Sequence, residues 1–119
     1  MSYDLDVITV TCHHTKNYTS NVAPMFYLAF ERTSEYLEPI LKKAWYPLDD
    51  FKEALNCGER EIILPTLKFM ITDMKAYPEI YKSLNPENGW GTYEGALEFL
   101  EEALKALEKN KKSIIRLSW

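Results

Sequence analysis

An α+β fold follows from three features of the 119-residue chain. Strand-like, β-branched stretches lie at both ends, a strongly amphipathic helix pattern precedes the second of them, and helical apolar spacing runs through the middle. The expected architecture is one helix-dominated domain spanning residues 1–119. Its N- and C-terminal strands pair in a small sheet, with the helices packed on one face. A chain of this length buries a core without disulfide staples.

Taken in order, Tyr3 to Thr11 reads as a strand: Leu5, Val7 and Thr9 alternate with Asp4, Asp6, Ile8 and Val10. It turns apolar on both faces at its end, as a strand entering a core does. The segment Thr11 to Asn21 is polar and reads as a loop. Its last residues offer helix N-caps, and Pro24 suits the first turn of a helix through Met25, Phe26, Leu28, Ala29 and Phe30. Leu37, Ile40, Leu41 and Ala44 are helically spaced, but Pro39 interrupts them. The pattern therefore predicts a separate short helix at Ser34 to Ala44, ending in the bulk of Trp45 and Tyr46 before Pro47, then a turn of helix at Asp49 to Leu55.

Asn56 or Cys57 can cap a helix reaching about Ala76, with Ile63, Leu67, Met70, Ile71 and Met74 as its apolar stripe. Pro65 implies either a kink or a start near Leu64. Pro78 opens a short helical piece through Tyr81 to Leu84. Thr92 to Lys109 is the clearest helix. Tyr93, Ala96, Leu97, Leu100, Ala103, Leu104 and Leu107 form one face, acids cover the other, and Glu101 and Lys105 are spaced as an ion pair. Asn110 suits the position after its end, and Ser113 to Ser118 reads as the last strand. Two strands alone are marginal, so a third strand comes from residues 31–56 or from a second subunit. The apolar C-terminal edge points to a homo-oligomer.

A net charge of −4 excludes a binder of nucleic-acid backbones, which needs clustered Lys and Arg. The one basic cluster, Lys109, Lys111 and Lys112, complements a helix C-terminus. Cys12 and Cys57 make no framework and no CxxC pair. With no leader-like start and no long apolar run, the expectation is a cytoplasmic protein with no membrane partner. The sequon at Asn17-Tyr18-Thr19 then has no use.

Two polar stretches, each just before a helix, are the candidate site. Residues 11–21 bring Asn17, Tyr18, Thr19, Ser20 and Asn21; residues 85–92 bring Asn85, Asn88 and Trp90, with Tyr93 following. Amides beside aromatic rings suit a polar, nucleotide-like small molecule, and two helix N-termini could hold its phosphate. Arg116 on the last strand could add a positive charge. The same residues also read as caps and turns, with Asn85-Pro86 and Asn88-Gly89 as turn pairs. Gly89-Trp90-Gly91 is not a GxGxxG fingerprint and has no GK[ST], which excludes phosphate-loop and Rossmann sites.

His13 and His14 are the only histidines. Either could serve as a general base with Glu94 or Asp4. Adjacent histidines with one nearby cysteine make a poor metal set, so neither metal nor cofactor is expected.

The strings Asn17-Tyr18-Thr19-Ser20-Asn21-Val22-Ala23-Pro24-Met25 and Asn85-Pro86-Glu87-Asn88-Gly89-Trp90-Gly91-Thr92-Tyr93-Glu94-Gly95-Ala96 carry a resemblance. The chain resembles a family of small uncharacterised proteins of bacteria and their phages. The likeness is specific at these two strings and weak over residues 31–56. It implies the same order of elements and no established activity. Phage occurrence implies a protein that captures a host immune signalling nucleotide in the host cytoplasm without cleaving it. Two alternatives stand beside that reading: a small hydrolase or lyase using His13 or His14 with Glu94, and a module that inhibits a host factor through its acidic surface.

Overall fold

Strand β1 (Ser2–Ile8) pairs antiparallel with β2 (His13–Thr19) on one side and β3 (Ile114–Ser118) on the other. The computed structural model describes residues 2–8, 13–44, 47–109 and 114–118. The expectations for Thr9 to Cys12, Trp45, Tyr46 and Asn110 to Ser113 lie outside the described residues. Leu5 stands opposite Leu117 and Asp6 opposite Arg116. Leu5, Ile115 and Leu117 are buried while Ile114 and Arg116 are exposed. This is the period-two segregation of a sheet with one face on a core.

The third strand is a correction. It comes neither from residues 31–56 nor from another subunit, but from His13 to Thr19, inside the stretch expected to be a loop. That segment has no apolar alternation because it pairs at the sheet's end. The main-chain ladder to β1, from Ser2 opposite Thr19 to Ile8 opposite His13, orders it instead. Its threonines and tyrosine are good strand formers.

A 3₁₀ turn at Ser20–Val22 leads into α1 (Ala23–Leu41), with Pro24 in its first turn. The N-cap is Val22, which has no side-chain oxygen, rather than Ser20 or Asn21. Residues expected to form two helices form one of 19 residues. Pro39 falls in its last turn, where a missing N–H deprives only the Glu35 carbonyl, and the helix ends two residues later. α2 (Phe51–Leu55) starts at Asp50, whose Oδ1 accepts from the Glu53 N–H at 2.9 Å.

α3 (Arg60–Ala76) begins at Glu59, so neither Asn56 nor Cys57 is its cap. The half-buried Cys57 sulfur accepts from the Glu59 N–H at 3.5 Å, and burial pushes its thiol pKa up. The helix continues through Pro65, and the next residue, Thr66, donates its hydroxyl to the Ile62 carbonyl at 2.7 Å. α4 (Pro78–Lys82) is a single turn opened by its proline. α5 (Tyr93–Lys109) is capped by Thr92, whose Oγ1 accepts from the Gly95 N–H at 3.1 Å.

α3 is the central element: α1, α2, α4, α5 and β3 all pack on it. Its buried face holds the whole expected stripe together with Ile62 and Thr66. α5 buries Tyr93, Ala96, Leu100, Ala103 and Leu107, and also Phe99, which the expected face omitted. Phe26 lies 5.5 Å from Phe51 and 6.1 Å from Phe99, joining α1, α2 and α5 through one ring. Each such ring contributes roughly 1.5–3 kcal/mol by burial. Glu101 reaches Lys75 of α3 at 2.8 Å rather than serving α5 alone. The result is one compact, helix-dominated domain, in which no described helix is long and apolar enough to cross a membrane.

The outer edge of β3 meets a side chain. Asn56 Oδ1 accepts from the Leu117 N–H at 2.6 Å, and its Nδ2 donates to the Leu117 carbonyl at 2.9 Å. A carboxamide thus takes the place of a neighbouring strand's peptide group. Asn56→Ala removes both bonds and is expected to lower stability by about 1–2 kcal/mol, read from the urea midpoint. An unchanged midpoint would show that the pair carries no net stability.

Candidate functional site

The segment 85–92 joins α4 to α5 and is braced from within. Asn85 Oδ1 accepts from the Tyr93 N–H at 2.8 Å, satisfying the first orphan donor of α5. Asn88 Oδ1 accepts from the Trp90 N–H at 2.9 Å, an Asx turn, and the Gly89 N–H bonds to the Pro86 carbonyl at 3.2 Å. Gly89 has φ +74° with open space where a Cβ would be, so glycine serves backbone conformation here and not a close approach. Both asparagines therefore act as turn and cap residues through Oδ1, the plain reading of their sequence.

Trp90 is different. The residue is 69% exposed at the tip of this braced loop. Tyr93, expected to stack on a ligand beside it, is buried instead. Its hydroxyl donates to the Met74 carbonyl at 2.6 Å, and its ring stacks on Tyr81 at 6.5 Å. Burial, then the Glu94 and Glu101 carboxylates, push its phenol pKa up, against Lys75. The periodicity that put Tyr93 on the apolar face of α5 had already assigned it to the core, and that assignment is the one the packing follows.

The remaining candidates lie elsewhere. Asn17, Tyr18 and Thr19 are in β2, opposite Asp4, Tyr3 and Ser2. His13 and His14 are at the other end of the same strand, six and five positions from Thr19, and pair with Ile8 and Val7. Ser20 and Asn21 belong to the 3₁₀ turn, and Arg116 is exposed on β3. Glu94 is exposed in the first turn of α5. Among the described residues, no group of three His, Cys, Asp or Glu side chains has metal-binding geometry.

A polar cluster beneath the loop had no signal in the sequence. Asp73 of α3 receives Arg32 Nε from α1 at 2.7 Å, and the same carboxylate oxygen accepts from the Tyr81 hydroxyl of α4. The Arg32 guanidinium also sits 4.8 Å from the Tyr77 ring centroid, a cation–π contact. The Asp73 bond raises the Arg32 pKa, while burial and then the Asp73 carboxylate push the Tyr81 phenol well above its ordinary range. The Arg32–Asp73 separation of 41 residues explains why no local pattern revealed it. No family model, curated protein or solved structure matches this chain. The chemistry of the site therefore rests on its own residues.

Tyr81 holds its proton more tightly in the folded state than in the unfolded chain. The stability this contributes is complete below the unfolded value of about 10 and is lost as pH rises toward the higher folded one. The difference in melting temperature between wild type and Tyr81→Phe is therefore expected to be constant from pH 7 to about 10 and to shrink above that. A difference that does not change up to the alkaline limit of folding would remove Tyr81 as its source.

Proposed function

We propose that the chain is a non-catalytic binding protein for a polar, nucleotide-like small molecule, with Trp90 as its stacking surface. The observation that carries the reading is the pairing of a fixed main chain with a solvent-exposed indole. An exposed Trp side chain forgoes roughly 2–3 kcal/mol of burial. Here the loop that bears it is held by main-chain hydrogen bonds at Trp90 and at Tyr93, so the backbone presents the ring to solvent. An anchored main chain lowers the backbone entropy lost when a flat ligand stacks on the ring it carries.

Within this reading Tyr93 supports the loop from the core and does not touch the ligand. Asn17, Tyr18, Thr19, Ser20, Asn21 and Arg116 remain candidate partners for the ligand's polar edges, and Asn85 and Asn88 position Trp90. The α+β arrangement belongs to the same proposal: a small sheet of terminal strands with helices on one face. The resemblance to small bacterial and phage proteins extends it to capture, without cleavage, of a host immune signalling nucleotide in the cytoplasm.

The test is to incubate the protein with a mixed nucleotide pool, remove unbound material, denature it by heat and identify what is released by mass spectrometry. An intact nucleotide is the expected result. An altered one would replace the binder with a hydrolase or lyase acting through His13 or His14. An empty protein would leave the acidic surface and a protein partner as the better reading. Trp90→Ala is expected to weaken retention about 5- to 150-fold, the range of one base–aromatic stack, with an unchanged thermal melt. Equal retention by the variant would remove Trp90 from the site.

A further inference from the structure

Of the chain's asparagines, the structure sets one apart chemically. An asparagine can react with its own main chain when the next residue's amide nitrogen attacks the carboxamide carbon, which is one reason the residue is thermolabile. Asn88 meets each requirement. Both it and Gly89 are exposed, so water reaches the carboxamide and ammonia can leave. Gly89 has no side chain to shield its nitrogen, and open space lies where a Cβ would be. Asn88 Oδ1 already accepts from the Trp90 N–H at 2.9 Å, a donor placed on the oxygen where negative charge builds as the carbon is attacked. The opposing contact is one bond from the Gly89 N–H to the Pro86 carbonyl, at 3.2 Å the long end of the normal range. The other described asparagines each lack something. Asn85 precedes Pro86, which has no N–H to give up. Asn56 holds Leu117 with both ends of its carboxamide. Asn21 precedes Val22, which is fully buried and branched at Cβ. Asn17 is in β2, whose main chain is held in the ladder to β1.

We propose that Asn88 is a self-modification site, at which the loop converts itself to aspartate and isoaspartate. Hydroxide removes the Gly89 amide proton, and the nitrogen's electron pair forms a bond to Asn88 Cγ. The Cγ–Oδ1 double-bond pair moves onto Oδ1. On its return the Cγ–Nδ2 bond breaks, and Nδ2 takes a proton from water and leaves as ammonia. A five-membered imide remains. Water then adds to one of its two carbonyls: cleavage at Cγ gives aspartate, and cleavage at the main-chain carbonyl gives isoaspartate. The net change is one water in and one ammonia out, with no oxidant or cofactor. Either product adds a negative charge two residues from Trp90, on a chain already at −4. Isoaspartate also runs the main chain through Cγ, one methylene longer, which removes the Asx turn that fixes the Trp90 amide. Trp90 is thus carried by a loop whose geometry ages. The reaction needs no ligand and is independent of the binding reading.

Peptide mapping by mass spectrometry of the full chain, aged in mildly alkaline buffer, tests the assignment. The peptide holding Asn88 is expected to lose ammonia and then to gain the mass of –OH over –NH2, at least ~10-fold faster than any other described asparagine. It should resolve into isoaspartate and aspartate forms, the first of which arises only through the ring. Asn88→Gln, whose ring would need a sixth member, is expected to abolish the change and to keep the circular dichroism and melt of wild type. A parallel sample unfolded in urea separates the loop's effect from that of the Asn-Gly pair alone. The proposal is overturned if native protein keeps Asn88 while the unfolded chain converts it, since the loop then protects the amide. It is likewise overturned if another described asparagine converts first, if aspartate alone forms, or if Asn88→Gln shows the same mass gain.

Discussion

One oxygen of Asp73 accepts from two donors on two other helices, and the placement of the candidate site depends on that convergence. Its side chain is 14% exposed, so an unpaired carboxylate there would be costly. Hydrogen bonds to a charged group contribute about 1.5–3 kcal/mol each. α4 most needs them. Five residues form a single turn, below any length that is stable alone. Its one buried side chain is Tyr81, whose hydroxyl ends on Asp73 and whose ring rests on Tyr93. The loop bearing Trp90 leaves α4 and enters α5 at Tyr93, so both of its ends are set by this polar and aromatic contact.

Local periodicity made the buried faces of α3 and α5 legible in advance. Ile63, Leu67, Met70, Ile71 and Met74 are all buried, as their spacing requires. Where the reading failed, a tertiary contact had overridden a local signal. Pro39 looked like a break but sits where a helix can tolerate it. His13 to Thr19 looked like a loop because nothing in seven polar residues shows that β1 runs alongside them. Asn56 looked like a helix cap, and its amide instead meets Leu117, 61 residues away.

The candidate site divides in the same way. Asn85, Asn88 and Gly89 were recognisable as turn residues because their chemistry acts within a few positions. Trp90's exposure was not foreseeable, since an indole beside an amphipathic helix serves equally well as a core lid. The stacked rings of Tyr36 and Phe69 escaped notice for another reason. They belong to separate helices, α1 and α3, and they become a pair only when those helices lie antiparallel.

The carboxamide at the margin of β3 also limits how this fold can go wrong. Growth of a fibre by strand addition requires every copy to present two unsatisfied margins, one to receive and one to extend. In the order β2-β1-β3, the margin beyond β3 is already bonded at Leu117. A strand joining β3 at Leu117 would therefore have to break an internal contact first.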